Sequence, residues 1–354
     1  MEKNKNEINE ITEEYRILMP KIIQEADAIA DECTDYFVKT QKNKLTFTPA
    51  EEINFQQESL IEPEKTLTVT EYAFSQLCQK IGFPVNLYKR QNEELKENTL
   101  ANTNINKHMT HYRGKLMVRT YKNMIRGILS DRYTSFDANQ IVKMLAEAIE
   151  DNKVIPVTEL GIHGYVNDFE RLHIRLINKT PLNIDGQTAY AGLTINTSDV
   201  GKAKISVKFY LYSNLQAGGI CIDKFRKELF EEAHIHITEK EIKQRLAQSF
   251  KNFPNIMNNA KVYIQNAENF MLNNSMLFDK DSALNKMLCK VFNLTMKDIK
   301  GILDIADRNP KNLWGYVNAF TEYAKSQPFD KRIDMERSAG FILLYPDKYG
   351  IMAG

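Results

Sequence analysis

KISVKFYLYS, residues 204–213, is the stretch on which the fold turns. Ile205, Val207, Phe209 and Leu211 recur every second residue among β-branched and aromatic neighbours, so the run reads as a strand with one face on a core. Lys204, Lys208, Tyr210 and Tyr212 then share the opposite face. The same period of two recurs in LMVRTY (116–121), IRGIL (125–129), RLHIRLI (171–177) and TAYAGLTI (188–195). One helix interrupts these strands. Asp137 with Gln140 three residues on marks its start, and Ile141, Val142, Leu145, Ala148 and Ile149 form its apolar stripe. The middle of the chain is therefore expected to be an antiparallel or mixed sheet carrying a packed helix.

The period lengthens on either side. Toward the N-terminus, Ile8, Ile11, Tyr15, Leu18, Ile22, Ala26, Ile29, Cys33 and Tyr36 are spaced by threes and fours, close to a heptad seam. Pro20 interrupts it, which predicts two helices or one kinked helix. Residues 1–35 carry ten acids against four bases, so this is an acidic amphipathic segment. It either packs on its own protein or serves, over residues 1–38, as an arm for self-association or a protein partner. Residues 39–68 are polar without sustained periodicity, like a linker. Thr70 caps a helix with Phe74, Leu77 and Ile81 on one face, stopped by Gly82 and Pro84. Residues 91–112 are weakly patterned.

Beyond residue 228 the pattern is helical. Thr238 with Glu241, and Thr295 with Asp298, are capping boxes, stapled by Ile237 with Ile242 and by Leu294 with Ile299. Asn309 and Pro310 read as N-cap and first residue of a helix bearing Leu313, Tyr316, Val317 and Phe320. The expected class is α+β: a central sheet with a helix, flanked by a helical N-terminal arm and a helical C-terminal region. The expected segments are 1–68, arm and linker; 69–227, α+β core; and 228–354, helical.

The 354 residues hold 47 Lys and Arg against 46 Asp and Glu, a net charge of +1 that argues against a generally polycationic binder. No apolar run is long enough to span a membrane, and the opening MEKNKNEINEITEEY has no apolar core of a secretory signal. The four cysteines are scattered without a CxxC pair, as in reduced thiols. A cytoplasmic setting without a membrane partner is expected. P-loop, GxGxxG, HExxH, GxSxG and EF-hand signatures are missing, which disfavours an enzyme. The pairs His108/His111 and His234/His236 lack further ligands at metal-like spacing, and His163 and His173 read as sheet residues. Neither metal nor cofactor is expected. A hydrolase using Asp131, Asp137 and Asp199 with a divalent ion stands as a third reading.

The most suggestive chemistry lies between Lys107 and Arg132, where seven bases face one acid, Asp131, and Tyr112 and Tyr121 are interleaved with them. Arg113, Lys115, Arg119, Lys122, Arg126 and Arg132, with Lys204 and Lys208, are candidates to neutralise phosphates. Tyr121, Tyr210 and Tyr212 are candidates to stack on unpaired bases. The alternative is a solvated or covered sheet face with tyrosines as packing.

Four stretches read together add a setting: SQLCQKIGFPVNLYKR (75–90), RGILSDRYTSFDANQIVKML (126–145), NTSDVGKAKISVKFYLYSNLQAGGI (196–220) and NLWGYVNAFTEYAK (312–325). Their order over residues 70–325 resembles a family of phage- and plasmid-related proteins that share a domain of unknown function. The matching positions are Arg126, Ser130, Asp131, Arg132, Tyr133, Asp137, Asn196, Asp199, Gly201, Trp314, Asn318 and Thr321. Family members follow the strand with Arg-x-x-Cys-x-Asn-Gly. Here Tyr212–Ser213 and Ala217–Gly218–Gly219 stand instead, so no role of that Arg or Cys carries over. Structural roles also fit the matching positions: Gly201 at positive φ in a turn capped by Ser198 or Asp199, Asp137 as a helix cap, Trp314 as a core anchor with Asn318 bonding a buried backbone. The resemblance implies a mobile element acting in a host cytoplasm. The expectation is a non-enzymatic accessory protein binding single-stranded nucleic acid in replication, recombination or annealing. The alternative, from the acidic arm, is a protein-interaction factor such as an inhibitor of a host defence system or host enzyme.

Overall fold

Two sheets, rather than one, take up the alternating segments. The computed structural model describes residues 13–39, 46–47, 52–55, 65–91, 98–134, 136–184, 187–212, 219–222, 229–232, 237–272, 279 and 282–351. His234 and His236, and residues 1–12 of the seam, lie outside this set. The class is α+β.

The strands are β1 (Glu13–Glu14), β2 (Cys33–Lys39), β3 (Thr46–Phe47), β4 (Glu52–Phe55), β5 (Lys65–Val69), β6 (Lys115–Tyr121), β7 (Met124–Ser130), β8 (Leu160–Asn167), β9 (Leu172–Asn178), β10 (Leu182–Ile184), β11 (Gln187–Thr197), β12 (Ile205–Tyr212), β13 (Ile220–Ile222) and β14 (Glu231–Glu232). Among the described residues a smaller six-stranded sheet runs β2-β6-β7-β5-β4-β3. It is antiparallel except between β5 and β7. The larger sheet runs β1-β8-β9-β11-β12-β13, with β10 beside β11 and β14 beside β12.

Three sequence expectations are corrected here. The stretch read as a linker, 39–68, contributes β3, β4 and the start of β5, because β5 pairs with β7 and β4 and β3 add to it in turn, which rewards a segment whose own pattern is weak. The heptad seam ends at Asp31: one helix, α1 (Tyr15–Asp31), contains Pro20, and Cys33 and Tyr36 belong to β2. The weakly patterned stretch before residue 112 holds a helix, Asn98–His111, given below as α4.

The smaller sheet packs Val38, Leu116, Val118, Ile125 and Ile128 against α2 (Glu71–Ile81), α3 (Val85–Lys89) and α4 (Asn98–His111). α2 starts and stops as its sequence predicts: Thr70 Oγ1 accepts from the Ala73 amide at 3.1 Å, and Gly82 closes the helix at φ +69°. The larger sheet buries Ile205, Val207, Phe209 and Leu211 against α1, α5 (Ala138–Glu150) and α6 (Glu239–Asn269). The acidic helix therefore spends its apolar stripe, Tyr15, Leu18, Met19, Ile22 and Ala26, inside its own chain.

The C-terminal helices are α7 (Ala283–Phe292), α8 (Met296–Ala306), α9 (Leu313–Ala324) and α10 (Phe329–Leu344). Both capping boxes form. α9 starts later than Asn309–Pro310 predicts. Asn312 is its N-cap, accepting from the Gly315 amide at 2.8 Å, while Asn309 Nδ2 donates to the Gly315 carbonyl at 3.1 Å. Pro310 crosses so close to Gly315 that a Cβ there would overlap the Pro310 carbonyl oxygen. Trp314 is buried in the core. Asn318, expected to bond a buried backbone, has its side-chain oxygen buried without a hydrogen-bond partner among the described residues.

Candidate functional site

The smaller sheet turns its second face toward the larger one, and that contact consumes the centre of the basic segment. Arg119 is 1% exposed. Its Nε and Nη2 donate to Asp35 at 2.8 and 3.0 Å, Nη2 also to Asp137 at 2.5 Å, and Nη1 to the Asp199 carbonyl at 2.6 Å. Arg126, fully buried, donates through Nη1 to Asp199 Oδ2 at 3.0 Å and to the Phe169 carbonyl at 2.6 Å. Burial pushes the Asp199 carboxyl upward, and Arg126 opposes the shift. Gln76 adds a neutral tie, accepting from the Ile128 amide at 2.9 Å and donating to the Val200 carbonyl at 2.8 Å.

The turn between β11 and β12 is built for this junction. Gly201 sits at φ +80°, as expected, and Ser198 caps the turn by accepting from the Lys202 amide at 2.9 Å. Tyr133 donates to the Ser198 carbonyl at 2.9 Å. Asp137 and Asp199, expected as possible metal ligands, are instead partners of buried guanidinium groups; Asp131 is exposed elsewhere in a turn. Among the described residues no group of three or more His, Cys, Asp or Glu side chains gathers to hold a metal ion.

The tyrosine part of the Lys/Tyr face of β12 is likewise not open, while Lys204 at its end is exposed. The period of two is as read, but the second face is covered by α10. Registers place His173 beside Asn196 and Ser206, Arg175 beside Thr194 and Lys208, and Ile177 beside Gly192, Tyr210 and Cys221. Tyr210 and Tyr212 are 1% and 0% exposed. A buried ion group fixes the helix there: Arg175 Nη2 donates to both Glu336 oxygens at 2.8 and 2.7 Å, and Arg332 Nε to Glu336 at 3.0 Å. Gly340 lets the α10 backbone rest on β13, where a Cβ would overlap the Cys221 carbonyl oxygen.

His173 belongs to the same group. Arg175 Nε donates to His173 Nε2 at 3.1 Å, so that nitrogen must carry a lone pair, and Nδ1 donates to Asn196 Oδ1 at 2.5 Å. The ring is therefore neutral with its proton on Nδ1. Burial, then the Arg175 charge, holds its pKa well below 6.5.

Arg119, Arg126, Tyr210 and Tyr212 thus cannot touch a strand of nucleic acid in this conformation, because each is sealed by an element distant in sequence. Tyr121 is half-buried and stacked on Phe169, with ring centroids 5.1 Å apart. Arg113, Lys115, Lys122 and Arg132 remain exposed, and Lys115 lies over the Phe37 ring. Ser130 and Tyr133 are half-buried, and Thr321 lies inside α9, donating to the Asn318 carbonyl at 3.0 Å.

Where the first turns of α10 leave the sheet, a cleft of about 330 Å³ opens. It is lined by Arg171, Lys202, Lys204, Lys208 and Arg337 against Glu231, Asp330 and Asp334, with Tyr210, Phe329 and Ile333 as apolar wall and His173 and Asn196 alongside. Its volume lies at the small end of the roughly 300–1,000 Å³ typical of ligand sites. Lys204 and Lys208 are the two predicted phosphate ligands that it retains. Arg171, Lys202 and Arg337 were missed by sequence reasoning. For Arg171 the signal was present, since RLHIRLI alternates polar and apolar residues as KISVKFYLYS does. A second, open depression of about 570 Å³ is lined by Lys107, His108, His111 and Arg113 without a carboxylate.

Among the described residues no helix is long and apolar enough to cross a membrane. No protein-family model matches the chain, and no curated protein or solved structure matches it either.

Proposed function

We propose that the protein binds single-stranded nucleic acid without altering it chemically, as an accessory factor of a phage or other mobile element, and that the binding element is the cleft beneath α10. The observation that carries this is the cleft itself, where five cationic side chains face three carboxylates beside an aromatic wall. Phosphates suit the lysines and a base suits the Phe329 edge. The sequence resemblance supports the mobile-element setting. The competing reading, capture of a protein by the acidic arm, loses its motive over the described part of the arm, whose apolar stripe is used within the chain.

The test is fluorescence anisotropy with a labelled single strand of about 30 nucleotides across a salt series. Binding that weakens with salt, and whose log–log slope falls by about one for each of Lys204→Ala and Lys208→Ala, is expected. Absence of binding at low ionic strength refutes the function. Binding that ignores both substitutions but disappears on replacing Arg113, Lys115, Lys122 and Arg132 refutes the cleft as its location.

A further inference from the structure

We infer that Glu231 is a resident carboxylate standing where a phosphate group of the ligand binds, and that Lys204 and Lys208 are the phosphate seat it occupies; this rests on the binding reading above. Glu231 pairs with Ser206 across β14 and β12, so it faces the strand midway between the two lysines, each two residues away on one face. Both ammonium groups converge on it, one per oxygen. Lys204 Nζ lies 3.2 Å from Oε1 and Lys208 Nζ 3.8 Å from Oε2. All three side chains line the cleft.

The burial makes the arrangement more than a surface ion pair. The Lys208 side chain is only 13% exposed, so water and salt screen its pairing with an anion less than they would at an open surface. A phosphate group offers two oxygens at a similar bite, with the carboxylate's single charge in a nucleic-acid phosphodiester and more in inorganic phosphate. Exchanging the carboxylate for it keeps an anion on both ammonium groups. β14 is held through its backbone, with the Val207 amide donating to the Phe230 carbonyl at 2.9 Å. The pairing of β14 therefore does not rest on the Glu231 carboxylate.

Glu231→Gln keeps the shape and removes the competing charge. Calorimetric titration with inorganic phosphate should show the variant binding about fivefold or more tightly than the wild type, the scale of one half-exposed ion pair, and adding Lys208→Ala should erase the gain. The labelled strand should follow the same order. An unchanged or weaker phosphate affinity in a Glu231→Gln protein with a normal melting profile overturns the inference, even if the strand binds. Tighter phosphate binding with no strand binding by either protein upholds the seat and refutes the nucleic-acid reading alone.

Discussion

Replacing Glu336 by Gln should loosen the protein far more than replacing Asp199 by Asn, although both changes remove one buried carboxyl charge at constant shape. The difference lies in the ratio of charges. Around Glu336, one carboxylate serves two guanidinium groups, Arg175 and Arg332, at 2.7–3.0 Å, and the side chains of Arg175 and Glu336 are 0% exposed. Among the described residues Arg175 Nη1 already lacks a hydrogen-bond partner. Glu336→Gln takes the charge from the two oxygens that hold Arg175 in a desolvated site, the situation in which breaking a buried pair costs about 3–5 kcal/mol. At the junction between the sheets, three carboxylates, Asp35, Asp137 and Asp199, serve two guanidinium groups, Arg119 and Arg126. Asp199→Asn leaves two against two, and burial already works against the Asp199 charge. Its loss should cost about 1.5 kcal/mol, the lower end for one charged hydrogen bond. Guanidinium denaturation gives the two values, and hydrogen exchange should place the Glu336→Gln loss in α10 before the sheets. Equal losses for the two variants, or a Glu336→Gln loss below about 1 kcal/mol, would refute the charge-ratio argument.

Acid should weaken the seat of α10 from another side. His173 is neutral in the folded chain, with its pKa well below 6.5, so below about pH 6.5 the unfolded chain binds a proton that the folded chain refuses; stability is flat above that pH and falls beneath it. The denaturation midpoint at about pH 5 should lie below that at about pH 7.5, and His173→Asn should shrink the gap. Gly340→Ala should cost at least about 2–3 kcal/mol, because the added methyl meets the Cys221 carbonyl of β13 rather than a movable side chain; a normal melting temperature would contradict this packing.

Local order was well written in the sequence. Thr70, Thr238 and Thr295 cap helices because the residues that satisfy their orphan amides lie within three positions. The strand periods of β6, β7, β9, β11 and β12 also stand, since alternation depends on neighbours two apart. What could not be read was which second face is open. The Arg119–Asp199 contact spans 80 positions and Arg175–Glu336 spans 161, and no local pattern encodes partners so distant. α4 was missed because Asn98–His111 contains four Asn and little periodicity; its burial of Ala101, Ile105 and Met109 against the smaller sheet supplies what propensity does not.

The same physics explains why the basic segment misled in a particular direction. An Arg or Tyr on the polar face of a strand signals a surface only if nothing else carries matching groups. Here α10 brings Glu336 and α5 brings Asp137, so the face is polar and buried at once. Such a face can be closed only where its charges are matched, and the cleft begins where the latch ends. Past Glu336, the first turns of α10 bring Phe329, Asp330 and Asp334, and the lysines at this end of β12 pair with Glu231. One face of β9, β11 and β12 therefore does two jobs. Its matched part locks α10 down, and its lysine-rich margin carries the Glu231 pairs on which the proposed phosphate seat rests.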